Sequence, residues 1–84
     1  MKHAGQQTLQ QLEELLARVR TFHILREKKP GTFYQKSKAF LHFHEDQAGI
    51  FADLWNGDDW ERLRVSTTQE QKAFLRRVAS LVGE

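Results

Sequence analysis

The stretch that decides the fold spans residues 38–55 and reads KAFLHFHEDQAGIFADLW. It contains two runs of β-favouring residues with DQAG at positions 46–49 between them. Asp and Gly tolerate the backbone torsion angles that tight turns require. The stretch therefore predicts a β-hairpin in which Glu45 lies opposite Ile50.

A second turn, NGDD at residues 56–59, places Trp55 opposite Trp60 in the next hairpin. Because side chains alternate between the two faces of a strand, these registers sort the side chains into two sets. The first set is mainly apolar and predicts the core side of the sheet: Tyr34, Leu41, Phe43, Ile50, Ala52, Leu54, Leu63 and Val65. The second set mixes aromatic and charged residues: Phe33, Phe40, His42, His44, Phe51, Asp53, Trp55, Trp60, Arg62 and Arg64.

The pattern predicts four strands, at about residues 32–35, 38–45, 50–55 and 60–65, joined by the short connections of an antiparallel meander. Apolar residues at helical spacing predict one helix before the sheet, from Leu9 to Phe22, and another after it. We therefore expect an α+β fold with two layers. Its N- and C-terminal helices pack on one face of a four-stranded sheet, in the order α-β-β-β-β-α.

Local signals mark the ends of these helices. Thr8, with a glutamine three residues later, fits a capping box for the first helix, and Ser66 or Thr67 fits one for the second. Gly83 is expected to end the second helix, and the Pro-Gly pair at 30–31 predicts a turn before the sheet.

Composition narrows the function classes. The chain has 84 residues, which indicates a single domain spanning residues 1–84, with residues 1–6 expected to be disordered. Cysteine is absent, which excludes disulfide scaffolds and thiolate metal sites. The first residues lack the apolar core of a secretion signal, so we expect a cytoplasmic protein with no membrane partner.

Both predicted helices are assigned to the core side, so the second set of side chains is left as an uncovered face. Tryptophan, phenylalanine and arginine are enriched at protein interfaces. We therefore expect a non-enzymatic interaction module that docks a protein partner, or a second copy of itself as a homodimer, on this face. The alternative is that this face binds no ligand and carries only solvated ion pairs and cation–π contacts.

Single-stranded nucleic acid is the alternative partner for the same face, because aromatic side chains stack on unpaired bases while cations meet phosphates. The formal net charge of +2 does not by itself demand a polyanion. A cationic block would extend such a contact: Arg26, Lys28, Lys29, Lys36 and Lys38.

A metal site is a further alternative, with His42 and His44 on one side of a strand and Asp53 across the hairpin. Arg62 competes for that carboxylate and repels a cation, so we assign no metal and expect no cofactor. The serines lack a nucleophile-elbow context, and no nucleophile lies within reach of His42, so we expect no enzyme activity.

Residues 31–41, GTFYQKSKAFL, followed by His44-Glu45-Asp46 and a second apolar strand, resemble small bacterial proteins of the MmcQ/YjbR type. The resemblance covers about residues 31–65 and implies a hairpin with a lysine at its turn, an antiparallel sheet and helices on one side. Ser37 stands where a glycine is common in that family. The family's DNA-binding label favours the nucleic-acid alternative without identifying site residues.

Overall fold

A five-stranded antiparallel meander forms the centre of the computed structural model, which describes residues 1–83. The elements are β1 (Lys2–His3), α1 (Gln6–Gln11), α2 (Glu13–Val19), β2 (Leu25–Lys29), β3 (Thr32–Gln35), β4 (Lys38–Asp46), β5 (Gly49–Trp55), β6 (Trp60–Arg64) and α3 (Thr68–Val82). The strand order is β2-β3-β4-β5-β6, and β1 pairs with β4. The α+β class and the antiparallel sheet are confirmed, but the predicted order α-β-β-β-β-α omitted β1 and β2 and counted α1 and α2 as one helix.

The register of β4, β5 and β6 agrees with the register that the turns predicted. Glu45 pairs with Ile50, and Trp55 pairs with Trp60. Two tight turns therefore fixed the alternation of side chains across three strands, and the chemistry of both sheet faces follows from it.

Phe33 and Phe40 lie in the core, so their prediction as binding-face residues was wrong. Tyr34 pairs with Ala39 as a two-residue turn requires, but the next pair is Phe33 with Leu41. Phe40 is thus the extra residue of a β-bulge, and the alternation of β3 is inverted beyond it. Phe33 is 1% exposed and Phe40 is 3% exposed.

Strand β2 was not predicted because its sequence, LREKK, carries no alternating apolar pattern. Leu25 is its only buried residue, and the strand lies at the edge of the sheet. Lysines and arginines are common on edge strands because they oppose pairing with other chains. The predicted turn at 30–31 closes the hairpin of β2 and β3. A side chain at Gly31, where φ is 78°, would approach Leu9 to 2.6 Å.

The N-terminal helix begins earlier than predicted, after an extended Gly5 rather than a capping Thr8. It is interrupted at Leu12, which separates α1 from α2. The Thr8 hydroxyl lies inside α1 and donates to the Glu45 carboxylate on β4, so it fastens the helix to the sheet.

The capping of α3 agrees with the prediction. Thr67 forms a reciprocal capping box with Glu70, and Gly83 ends the helix with φ 81°. Both ends of this helix are therefore set by local sequence.

One cluster of buried side chains joins the helices to a single face of the sheet. It combines residues of the N-terminal helices, one face of the strands and α3: Leu12, Leu15, Leu16, Val19, Leu25, Phe33, Phe40, Leu41, Phe43, Ala52, Leu54, Val65, Phe74 and Val78. Among residues 1–83, no helix has the length and apolar character needed to cross a membrane.

Candidate functional site

The sheet face opposite this core is called the open face, and it carries the residues that alternate with the core residues. On β4, β5 and β6 they lie in three rows: Trp55 beside Trp60; His42, Asp53 and Arg62; and His44, Phe51 and Arg64. Trp60 keeps 40% of its surface exposed. The register thus places eight of the ten predicted face residues on these strands at open-face positions, while Phe33 and Phe40 lie in the core. The Arg64 guanidinium, however, turns to Glu70 on α3 and to the carbonyl of Ala48.

Asp53 is the central acidic group of the open face and is only 6% exposed. The Arg62 guanidinium donates to both of its oxygens, with Nε 2.8 Å from Oδ1 and Nη2 2.9 Å from Oδ2. Nε2 of His44 lies 3.0 Å from the same Oδ2. The hydrogen bonds from Arg62 hold the pKa of Asp53 below its usual range, which keeps this buried carboxylate ionised.

Three histidines converge beside Asp53. Strand β1 lies along β4 so that His3 pairs with His44, and His42 lies two residues before His44. One ring nitrogen from each of His3, His42 and His44 lies within 4.8 Å of the others. Nδ1 of His42 and Nε2 of His44 are 2.7 Å apart, so these two rings share one proton in a hydrogen bond.

Burial favours the neutral form of two of these rings. It lowers the pKa of His42, and the nearby His44 lowers it further. Burial also lowers the pKa of His44, although the Asp53 carboxylate opposes that effect. Neutral imidazole is the form that coordinates transition metals.

The spacing of the cluster fits a small transition-metal ion. Nitrogens bound to one tetrahedral zinc ion at about 2.0–2.1 Å lie roughly 3.3 Å from one another. The separations here bracket that value, from 2.7 Å between His42 and His44 to at most 4.8 Å within the cluster. Small side-chain rotations would therefore bring all three rings onto one ion.

The histidine cluster differs from the sequence-based candidate of His42, His44 and Asp53. His3 takes the place of Asp53, because both oxygens of that carboxylate already accept hydrogen bonds from Arg62. Asp53 lies instead against Nε2 of His44, the nitrogen that faces His42. No sequence signal pointed to His3, since a strand of two residues has no periodicity to detect.

Aromatic rings form one wall of the cluster. The Trp60 ring lies 4.7 Å from the His42 ring, between centroids, and 5.4 Å from the Trp55 ring. An ion at the cluster would therefore have an apolar surface on one side and the Asp53–Arg62 pair on another.

A separate cationic region occupies the far edge of the sheet. Thr32 pairs with His42, so alternation along β3 places Tyr34 on the open face, whereas the sequence had assigned it to the core. The Lys28 ammonium lies 4.7 Å from the centroid of the Tyr34 ring, and Arg26 pairs with Tyr34. A basic and aromatic patch therefore continues the open face away from the histidines.

Comparisons with protein-family models, with curated proteins and with solved structures found no match to this chain.

Proposed function

We propose that this protein is a transition-metal-binding domain whose ligands are His3, His42 and His44. The observation that carries the proposal is the convergence of three imidazole nitrogens within 4.8 Å, on one sheet face. Imidazole ligands suit zinc, copper, nickel and iron, and three imidazoles with one open position form a common zinc arrangement.

The surroundings of the cluster support this proposal. Metal-bound histidines usually hydrogen-bond to a carboxylate or a backbone carbonyl, which orients the ring. His44 has one such partner, the backbone of Lys2, with which it forms a hydrogen bond. The Asp53 carboxylate instead lies 3.0 Å from Nε2 of His44, the nitrogen that faces His42 and would bind the ion. Arg62 in turn fixes Asp53. The His44 ring is thus oriented by the Lys2 backbone, and the Asp53 carboxylate places a negative charge beside the cluster.

The proton shared by His42 and His44 marks where the ion would bind. A metal ion bound there would take a lone pair from each neutral ring, and the displaced proton would move to the other nitrogen of its own ring. Three protein ligands leave a fourth position of a tetrahedral ion for water or a small ligand. The proposal concerns metal binding and assigns no reaction.

Thermal unfolding with and without zinc tests this function. At free zinc about 100 times the Kd, binding adds about 2.7 kcal/mol to the stability of the fold, which for a domain of this size raises the Tm by roughly 10–20 °C. His42→Ala is expected to abolish the rise. The matched control is His23→Ala, which removes an exposed histidine outside the cluster and should keep the rise. Equal zinc responses in wild type and His42→Ala would contradict the proposal.

Docking of a protein partner, most simply a second copy of the chain, is a second candidate function of the open face. The observation that favours it is the exposure of Trp60, 40% of its surface, next to Trp55. Exposed tryptophans beside arginines are typical anchors of protein interfaces. Loss of Phe33 and Phe40 to the core makes this surface smaller than the sequence indicated.

Sedimentation velocity at two salt concentrations, with and without a mixed-sequence oligonucleotide, tests this second candidate. Self-association through tryptophans should persist at high salt and be lost in Trp60→Ala. Binding of the oligonucleotide that weakens steeply with salt would instead support the nucleic-acid alternative, using Lys28, Arg26 and Tyr34. A monomer with no bound oligonucleotide would contradict self-association and the nucleic-acid alternative.

A further inference from the structure

The N-terminal strand supplies one of the three histidines, and it lies at an exposed edge of the fold. β3 pairs with β4 only as far as His42, and β1 continues that edge by pairing with His44 and Glu45. The backbone N–H of Ala4 donates to the carbonyl of Phe43 at 3.1 Å. β1 therefore covers a short length of β4 that would otherwise be unpaired.

Few contacts hold β1 in this position. Both of its residues are exposed, and its one ion pair joins Lys2 to Glu45 at 3.5 Å, with the lysine side chain 80% exposed. Segments with few buried contacts open locally at low free energy while the rest of the domain stays folded. β1 is thus the part of the proposed metal site that is most easily detached.

We propose that metal binding fastens β1 to the sheet, so that the metal content of the site determines whether the N-terminal strand is docked. This inference rests on the proposed metal-binding function. Two ligands, His42 and His44, lie on the central strand β4, while His3 reaches the ion only when β1 is paired. An ion that binds three imidazoles more tightly than two has a higher affinity for the state in which β1 is paired with β4. Binding of the ion therefore shifts the population toward that state.

The consequence is that the backbone pairing of β4 near His44 depends on whether metal is bound. With the ion bound, the backbone groups of β4 near His44 are paired with β1. Without it, β1 detaches more often and leaves those groups free, and an unpaired strand edge is a template for pairing with another extended segment.

Hydrogen exchange of the full-length chain, followed by mass spectrometry, tests the inference. In saturating zinc, the peptide that contains residues 1–5 is expected to exchange about tenfold more slowly than in a metal chelator. His3→Ala should remove this protection, while the control His23→Ala should keep it. A His3→Ala variant that binds zinc as tightly as wild type would overturn the inference, since His3 would then not be a ligand.

The absorption spectrum of the Co²⁺-loaded protein separates this inference from the function on which it rests. If cobalt binds at one equivalent but exchange of residues 1–5 is unchanged by metal, the docking inference is overturned and metal binding stands. If neither cobalt nor zinc binds, the proposed function itself fails. Slower exchange of residues 1–5 together with a one-to-one cobalt spectrum supports both.

Discussion

On β4, Phe43 lies in the core while its neighbours His42 and His44 lie on the open face, and the two faces are stabilised differently. Phe43 is 2% exposed, and its ring centroid lies 5.8 Å from that of Phe74 on α3. The open face instead buries a carboxylate, Asp53, which is tolerated because Arg62 and His44 satisfy it. The sheet face that packs against the helices therefore supplies most of the stability of the domain. The open face presents groups whose arrangement suits a ligand.

The largest effect is expected from alanine substitutions at Phe43 and His44, which are adjacent in the chain but lie on opposite faces of the sheet. Phe43→Ala should destabilise the fold by about 3–5 kcal/mol because it leaves a cavity beside Phe74. His44→Ala should cost only about 1 kcal/mol in stability but abolish the response to zinc. Chemical denaturation with and without zinc measures both effects. Similar stability losses in the two variants would show that the open face is also structural core.

A smaller effect is expected when the carboxylate on the open face is neutralised. Asp53→Asn leaves Arg62 without its acidic partner and should destabilise the fold by about 1–3 kcal/mol. Because the Asp53 carboxylate lies 3.0 Å from Nε2 of His44, its negative charge favours a cation at the cluster, and zinc affinity should also fall by about tenfold. Isothermal titration calorimetry measures the affinity. Asp58→Asn, in an exposed turn, is the control and should change neither quantity. Unchanged zinc affinity in Asp53→Asn would refute this role of its charge.

Trp60→Ala should change stability less, by about 1 kcal/mol, because 40% of the residue is already exposed to water. Its ring contacts His42, so the variant should retain zinc binding with a modest loss of affinity. Denaturation and zinc titration of the same sample measure both. A loss of several kcal/mol would mean that the two tryptophans belong to a second core.

The smallest effect is expected at an ion pair on the edge of the sheet face that packs against the helices. Arg77 on α3 donates to the Glu61 carboxylate at 2.9 Å and lowers the pKa of Glu61 from 4.5 to about 2. Because the folded state lowers this pKa, the pair stabilises the fold above pH 4.5 and loses that effect as the pH falls toward 2.

Glu61→Gln should therefore flatten the loss of stability between these pH values, with little change in zinc binding. Denaturation at a series of pH values measures the slope, and an unchanged slope would show that the exposed pair contributes nothing.

The central part of the sheet could be predicted because local turns determine it. The turns at 46–49 and 56–59 fix the registers of β4, β5 and β6, and every open-face residue of those strands follows from them. The cap of α3 is equally local, since Thr67 and Glu70 are three residues apart.

The parts that could not be predicted depend on contacts between distant segments. The bulge at Phe40 inverts the faces of β3, and nothing in a two-residue turn signals it. The docking of His3 on β4 depends on tertiary pairing of a strand with two residues. The sequence therefore offered His42 and His44 only as a metal alternative, with Asp53 as the third group, and it assigned no metal and gave no role to His3.

The most direct test of the histidine cluster is an NMR titration with zinc that follows the ring nitrogens of the four histidines. We expect the resonances of His3, His42 and His44 to shift together and to saturate at one zinc per chain, while those of His23 stay in place. If none of the three shifts, or if His23 responds equally, the cluster is not a metal site.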